Sequence, residues 1–203
     1  MKKLITIAAC LILITVTAAL LFKSGVFENN IQIVRLDDGK IIKFYETNDI
    51  VPSDEVPDWY MYDDLADAEL KTLFKELPIS TAIGAFNTRE NNNMVGVEGK
   101  INNVGFSISP HMQLVDIYEI GKEKASAVKA IPVVAGYSRF VNGNDFEVTT
   151  YYAIFKLGEN TYYLDKYVYG DDRKELETAR KDIAKAIESM IDNGGIDFSK
   201  IKR

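Results

Sequence analysis

Residues 146–169 read FEVTTYYAIFKLGENTYYLDKYVY. Two runs dense in β-branched and aromatic side chains flank Gly158-Glu159-Asn160, and such residues suit the pleated surface of a strand. A short glycine-containing link between two runs of this kind predicts a hairpin. Taken as a three-residue loop, the link sets Leu157 opposite Thr161. The register then pairs Phe155 with Tyr163, Ala153 with Asp165, Tyr151 with Tyr167 and Thr149 with Tyr169. One face is expected to carry Tyr151, Tyr163, Tyr167 and Tyr169 with their hydroxyls. The opposite face is expected to carry Val148, Tyr152, Ile154, Leu164 and Val168 and to be largely aliphatic.

The next segment supplies a partner for the aliphatic face. From about 173 to 192, Leu176, Ala179, Ile183, Ala186, Ile187 and Met190 recur at helical spacing and form one apolar stripe. Asp172 and Glu175 make a capping-box-like pair, with aspartate in the place of serine. Asn193-Gly194-Gly195 stops the helix by permitting a left-handed exit. An apolar stripe next in sequence to an aliphatic sheet face predicts that the helix lies across the sheet.

Upstream, IQIVRL and KIIKFY flank Asp37-Asp38-Gly39, a strong signal for a hairpin over 31–46, because glycine accepts the positive φ of the turn. Residues 47–63 hold Pro52, Pro57 and several acids and end in Trp59-Tyr60-Met61-Tyr62. They read as a loop pinned by its aromatics or, alternatively, as an exposed contact patch. A helix is expected from about 64 to 77, with Ala66, Leu70, Leu73, Phe74 and Leu77 on one face, Asp63 or Asp64 as cap and Pro78 just beyond. MVGVEG and NVGFSIS read as strands around a turn within Gly99 to Asn103. Residues 111–127 lean toward strand, and 128–141 look extended, with Pro132 marking an edge or a bulge.

The fold class expected is therefore α+β, an antiparallel sheet packed by helices with a C-terminal helix across it. NVGFSISP at 103–110, the late hairpin and the closing helix resemble the PsbP-like arrangement over about half the chain. That resemblance implies a fold and no function.

Residues 4–22, LITIAACLILITVTAALLF, contain no charge and only three polar side chains, Thr6, Thr15 and Thr17. As a helix the run would cover roughly 28 Å, close to the ~30 Å hydrocarbon layer. Lys2 and Lys3 precede it, which should keep the N-terminus in the cytoplasm and place the rest of the chain outside. The leading expectation is an uncleaved anchor (1–23), a short linker (24–30) and a single extracytoplasmic domain (31–203). A signal peptide cleaved near Val16-Thr17-Ala18 is the second reading. The third is a lipoprotein, since Ile7-Ala8-Ala9-Cys10 resembles a lipobox.

Composition narrows the functions. Hydrophobic residues at 47% and charged residues at 27% are ordinary globular values, which argues against a disordered chain. Without Lys2, Lys3 and Lys23 the remainder holds 21 basic and 30 acidic residues, a net charge of −9. So acidic a domain is a poor candidate for nucleic-acid phosphates or for anionic lipid headgroups. Cys10 is the only cysteine, so there is no intramolecular disulfide and no thiolate metal site, a pattern that suits an exported bacterial protein. His111 is the only histidine and reads as an ordinary turn or surface residue. No P-loop, G-x-G-x-x-G or G-x-S-x-G occurs, so no cofactor, metal site or catalytic residue is assigned. The acids Asp63, Asp64, Asp67 and Glu69, and Asp171 with Asp172, sit at expected helix starts, where the backbone favours negative charge. Asn142-Gly143-Asn144-Asp145 reads as a turn in preference to a calcium loop.

Eight of the eleven tyrosines lie between residues 118 and 169. A tyrosine face can bury its rings and keep its hydroxyls wet, which suits recognition. Tyr151, Tyr163, Tyr167 and Tyr169 are the expected partner-binding face of a non-enzymatic, membrane-anchored module at the bacterial inner membrane. Its partners are the lipid bilayer, through residues 4–22, and a protein of the envelope. The competing expectation is an envelope hydrolase built on paired carboxylates.

Overall fold

A computed structural model of the chain describes residues 31–45, 60–74, 84–88, 94–110, 122–123, 125–142, 146–169 and 173–201. The element order is β1 (Ile31–Arg35), β2 (Ile41–Tyr45), β3 (Tyr60–Asp64), α1 (Asp67–Leu73), β4 (Gly84–Thr88), β5 (Met94–Ile101), β6 (Val104–Ser109), β7 (Ser126–Val128), β8 (Ile131–Asn142), β9 (Phe146–Leu157), β10 (Asn160–Tyr169), α2 (Arg173–Asn193) and a 3-10 turn at Phe198–Lys200. Strands β3 to β10 form one antiparallel sheet of order β3-β4-β5-β6-β10-β9-β8-β7, and β1 and β2 form a separate hairpin. The class is α+β, dominated by sheet, with a C-terminal helix across it.

The late hairpin forms, but its loop is two residues long. Asn160 pairs with Leu157, Tyr162 with Phe155 and Tyr163 with Ile154. Gly158 turns with φ +64° and Glu159 is not among the positive-φ residues, the pattern of a type II′ turn with glycine at its first central position. This corrects the expected register by one residue. Because side chains alternate along a strand, the slip exchanges faces. Tyr151, Ala153 and Phe155 of β9 now share a face with Tyr162, Leu164 and Val168 of β10. Tyr152 and Ile154 share the other with Tyr163, Tyr167 and Tyr169.

Asn160 explains why the loop is short. Its buried side chain donates to the Ile196 carbonyl at 2.6 Å, and the Ile196 N–H donates to the Tyr162 hydroxyl at 3.2 Å. Two strand residues thus satisfy both backbone groups of one residue beyond α2, and Asn160 must sit in the ladder to do so.

The apolar stripe of α2 packs on the β9–β10 face that holds Tyr151, Ala153, Phe155, Tyr162 and Leu164. Leu176, Ala179, Ile183, Ala186, Ile187 and Met190 are all buried, joined by Ala184 and Ile191. Beneath them Phe155 and Tyr162 stack with ring centroids 4.9 Å apart. Gly194, at φ +79°, closes the helix, its N–H donating to the Ile191 carbonyl at 3.1 Å. Asp172, the expected cap, lies outside the described residues.

The β1–β2 hairpin continues the same layer beside α2. Val34, Leu36, Ile42 and Phe44 join the core cluster, next to β7 and β8. Its loop is the one expected at Asp37-Asp38-Gly39, with Gly39 at φ +87° and the Leu36 N–H donating to the Lys40 carbonyl at 2.8 Å. Asp37 reaches Lys185 at 2.8 Å and Lys181 at 3.0 Å on α2. Hydrogen bonds from Lys185 and then Lys181 hold its carboxyl below the usual carboxylate range.

Two other expectations are corrected. Tyr60-Met61-Tyr62 are not loop but the start of β3, an edge strand specified by its pairing with β4. Asp64 also belongs to that strand, so α1 begins at Asp67 and not at 64. The Ala66 N–H donates to Glu69 Oε2 at 2.9 Å, half of a capping box. The β5–β6 turn falls at Asn102-Asn103, both at positive φ, as a type I′ turn requires. Pro132 lies where the β8–β9 register has not yet begun, so its missing N–H costs no bond to β9. Among the described residues no helix is long and apolar enough to cross a membrane. The run at 4–22, with Cys10, lies outside them, as do His111 and the residues between Asn142 and Phe146.

Candidate binding face

The face of the sheet turned away from α2 is ordered by the strand registers. Tyr163 stands in one row with Ser107 of β6, Ile154 of β9 and Val134 of β8. Asp165 stands in the next row, with Gly105, Tyr152 and Gly136. Tyr167 is next along β10, opposite Thr150, and Tyr169 lies opposite Val148.

Burial divides this face. Val134, Tyr152, Ile154 and Tyr163 form a second apolar cluster, with Ala125 packed against it. The Tyr152 and Tyr163 rings stack with centroids 6.4 Å apart and an interplanar angle of 22°. Beyond the cluster the strand becomes open, with Tyr167 at 60% exposure and Tyr169 at 63%. Among the residues whose side-chain exposure is described, these are the exposed large aromatic ones. A two-residue step along β10 separates them, so they project side by side.

The four expected tyrosines therefore have three fates. Tyr151 is on the opposite face, beneath α2, where Arg180 Nη2 donates to its hydroxyl and the guanidinium lies 4.7 Å from the ring centroid. Tyr163 is on the candidate face but only 6% exposed. Tyr167 and Tyr169 are on it and open.

Sequence reasoning misses two members of the face. A three-residue loop assigns Tyr152 to the helix side, and only the corrected register returns it to stack under Tyr163. Asp165 lies over Gly105, where its carboxylate fills the space that a β-carbon would take. An isolated glycine inside an alternating strand marks such close approach, and VGFSIS carries that signal.

Carboxylates do not converge here. Asp165 and Glu98 share this face, yet β6 runs between their strands, with Glu98 opposite Ser107 and Asp165 opposite Gly105. Two strand spacings and one row put their Cα atoms about 12 Å apart. Elsewhere Asp63 Oδ1 accepts from the Asp64 N–H at 2.9 Å, and Glu69 caps α1. Asp197, lowered by its hydrogen bond from Ser199, caps the 3-10 turn. Each of these acids serves local backbone.

No family model, curated protein or solved structure matches this chain.

Proposed function

We propose that this protein is a non-enzymatic binding module of the bacterial envelope. Residues 4–22 hold it at the inner membrane, its α+β domain lies outside the cytoplasm, and a protein partner docks on the open end of the β10 face. Cleavage near Ala18 or a lipid on Cys10 would change the tether and leave that face as it is.

The observation that carries this reading is the pair Tyr167 and Tyr169, open on the side of the sheet that α2 does not cover. Tyrosines anchor interfaces well, because a large rigid ring brings much contact area with few rotatable bonds and a hydroxyl that tolerates water. Tyr152 and Tyr163, stacked below, fix the strand from which the pair projects. The acidic balance of the chain agrees with a partner of basic or neutral surface and not with nucleic acid.

The test is capture from solubilised envelope by the full chain. The Tyr167→Ala/Tyr169→Ala variant should retain less than about one tenth of a partner that the parent captures, as expected when interface anchors are truncated. Equal capture by parent and variant would refute the assignment.

A further inference from the structure

The outer face of the β1–β2 hairpin has a composition of its own. The inner face, Val34, Leu36, Ile42 and Phe44, is buried in the core. On the outer face Ile31 is 42%, Ile33 64% and Ile41 49% exposed. Among the residues whose side-chain exposure is described, they are the exposed large aliphatic ones. Single exposed isoleucines need no explanation, but three on one side of two five-residue strands form a patch.

Cations share that face. The Leu36 N–H to Lys40 carbonyl bond places Leu36 opposite Lys40. Counting back along both strands sets Arg35 opposite Ile41 and Ile33 opposite Lys43. Arg35 and Lys43 are exposed, and neither IQIVR nor IIKFY contains an acid. In a chain of net charge −6 this is a local reversal of sign. The nearby Asp37 and Asp38 are turned to Lys181, Lys185 and Lys40.

We propose that this face rests on an anionic lipid bilayer, the isoleucines entering the headgroup boundary and Arg35 and Lys43 meeting lipid phosphates. Aliphatic side chains interleaved with cations are what such a surface selects. The position in the chain picks the bilayer over other occupants. Only eight residues, 23–30, separate the end of the apolar run at Phe22 from Ile31. Fully extended, they reach no more than about 29 Å. The inference rests on the proposed anchoring by residues 4–22. Its consequence is orientation: the hairpin lies on the α2 side of the sheet, so docking through it turns Tyr167 and Tyr169 away from the bilayer, toward a partner.

The experiment uses the full chain in vesicles of phosphatidylethanolamine and phosphatidylglycerol, with an environment-sensitive fluorophore and lipids carrying a quencher. One sample is labelled at native Cys10. Two others carry Cys10→Ser with Ile33→Cys or Glu159→Cys. The expected result is strong quenching at 10 and 33, little at 159, and at least about a threefold loss at 33 on adding Arg35→Glu and Lys43→Glu, since surface cations are attracted to the anionic headgroups. Quenching at 10 without quenching at 33 overturns the docking and leaves the anchor standing. An unquenched probe at 10 overturns the anchor, and the docking with it. Ile33→Cys that forms a disulfide-linked dimer without lipid quenching assigns the face to a second copy and overturns the lipid proposal. Quenching at 33 that ignores the charge reversal overturns the role given to Arg35 and Lys43.

Discussion

Truncating Tyr163 and Tyr167 separately measures where packing ends and the open face begins. Both project from β10 to the same side, four residues apart, but Tyr163 is 6% exposed and Tyr167 60%. A buried tyrosine removes about 150 Å² or more from water, worth about 4 kcal/mol at ~25 cal/mol per Å². Losing the stacked contact with Tyr152 adds about 0.5–1.5 kcal/mol. Tyr163→Ala should therefore cost about 5 kcal/mol, at the upper end of the usual range for an aromatic truncation in a core. Scaled by its smaller buried share, Tyr167→Ala should cost at most about 1.5 kcal/mol by the same area arithmetic. For a domain of this size about 2–4 °C of melting temperature corresponds to each kcal/mol. Thermal unfolding followed by circular dichroism should then show Tm lower by roughly 10–20 °C for Tyr163→Ala and by no more than roughly 6 °C for Tyr167→Ala. Equal shifts would refute the division of the face. A Tm for Tyr163→Ala within about 2 °C of the parent would show that the second cluster is not packed.

Two further outcomes test the core. Ile183→Asp places a charge at a site 1% exposed on the buried face of α2 and should cost roughly 4 kcal/mol or more, whereas Lys181→Ala, which loses an exposed ion pair to Asp37, should leave the midpoint of denaturant unfolding nearly unchanged. Burial pushes the Tyr162 hydroxyl up to about 12. A folded-state value above the unfolded one gives a contribution fully present below pH ~10 and lost as pH rises toward ~12, about 2–3 kcal/mol in all. Stability measured across that window should fall less steeply in Tyr162→Phe, and an unchanged slope would contradict the burial of the hydroxyl.

Legible in the sequence is whatever local chemistry decides. The α2 stripe is set by helical period alone, and every residue assigned to it is buried. The Asp37-Asp38-Gly39 turn is set by the glycine's positive φ. The β9–β10 loop is one residue shorter than its local sequence suggests, because Asn160 is held in the ladder by the Ile196 carbonyl, thirty-six residues away. No local signal reports that bond, yet it decides which tyrosines face α2. The same holds for β3, whose strand character comes from pairing with β4 across α1. Of the candidate site, the concentration of tyrosines in 118–169 is visible, while its division into core and open face depends on register.

The most direct test of the proposed binding role is photo-crosslinking in intact cells, with a photoreactive phenylalanine analogue at Tyr167 and, in a separate strain, at Glu159 in the β9–β10 turn. The binding role predicts one discrete adduct with an envelope protein from position 167, absent from position 159 and lost on adding Tyr169→Ala. A full-length, folded chain that yields no adduct from 167, or the same adducts from both positions, would contradict it.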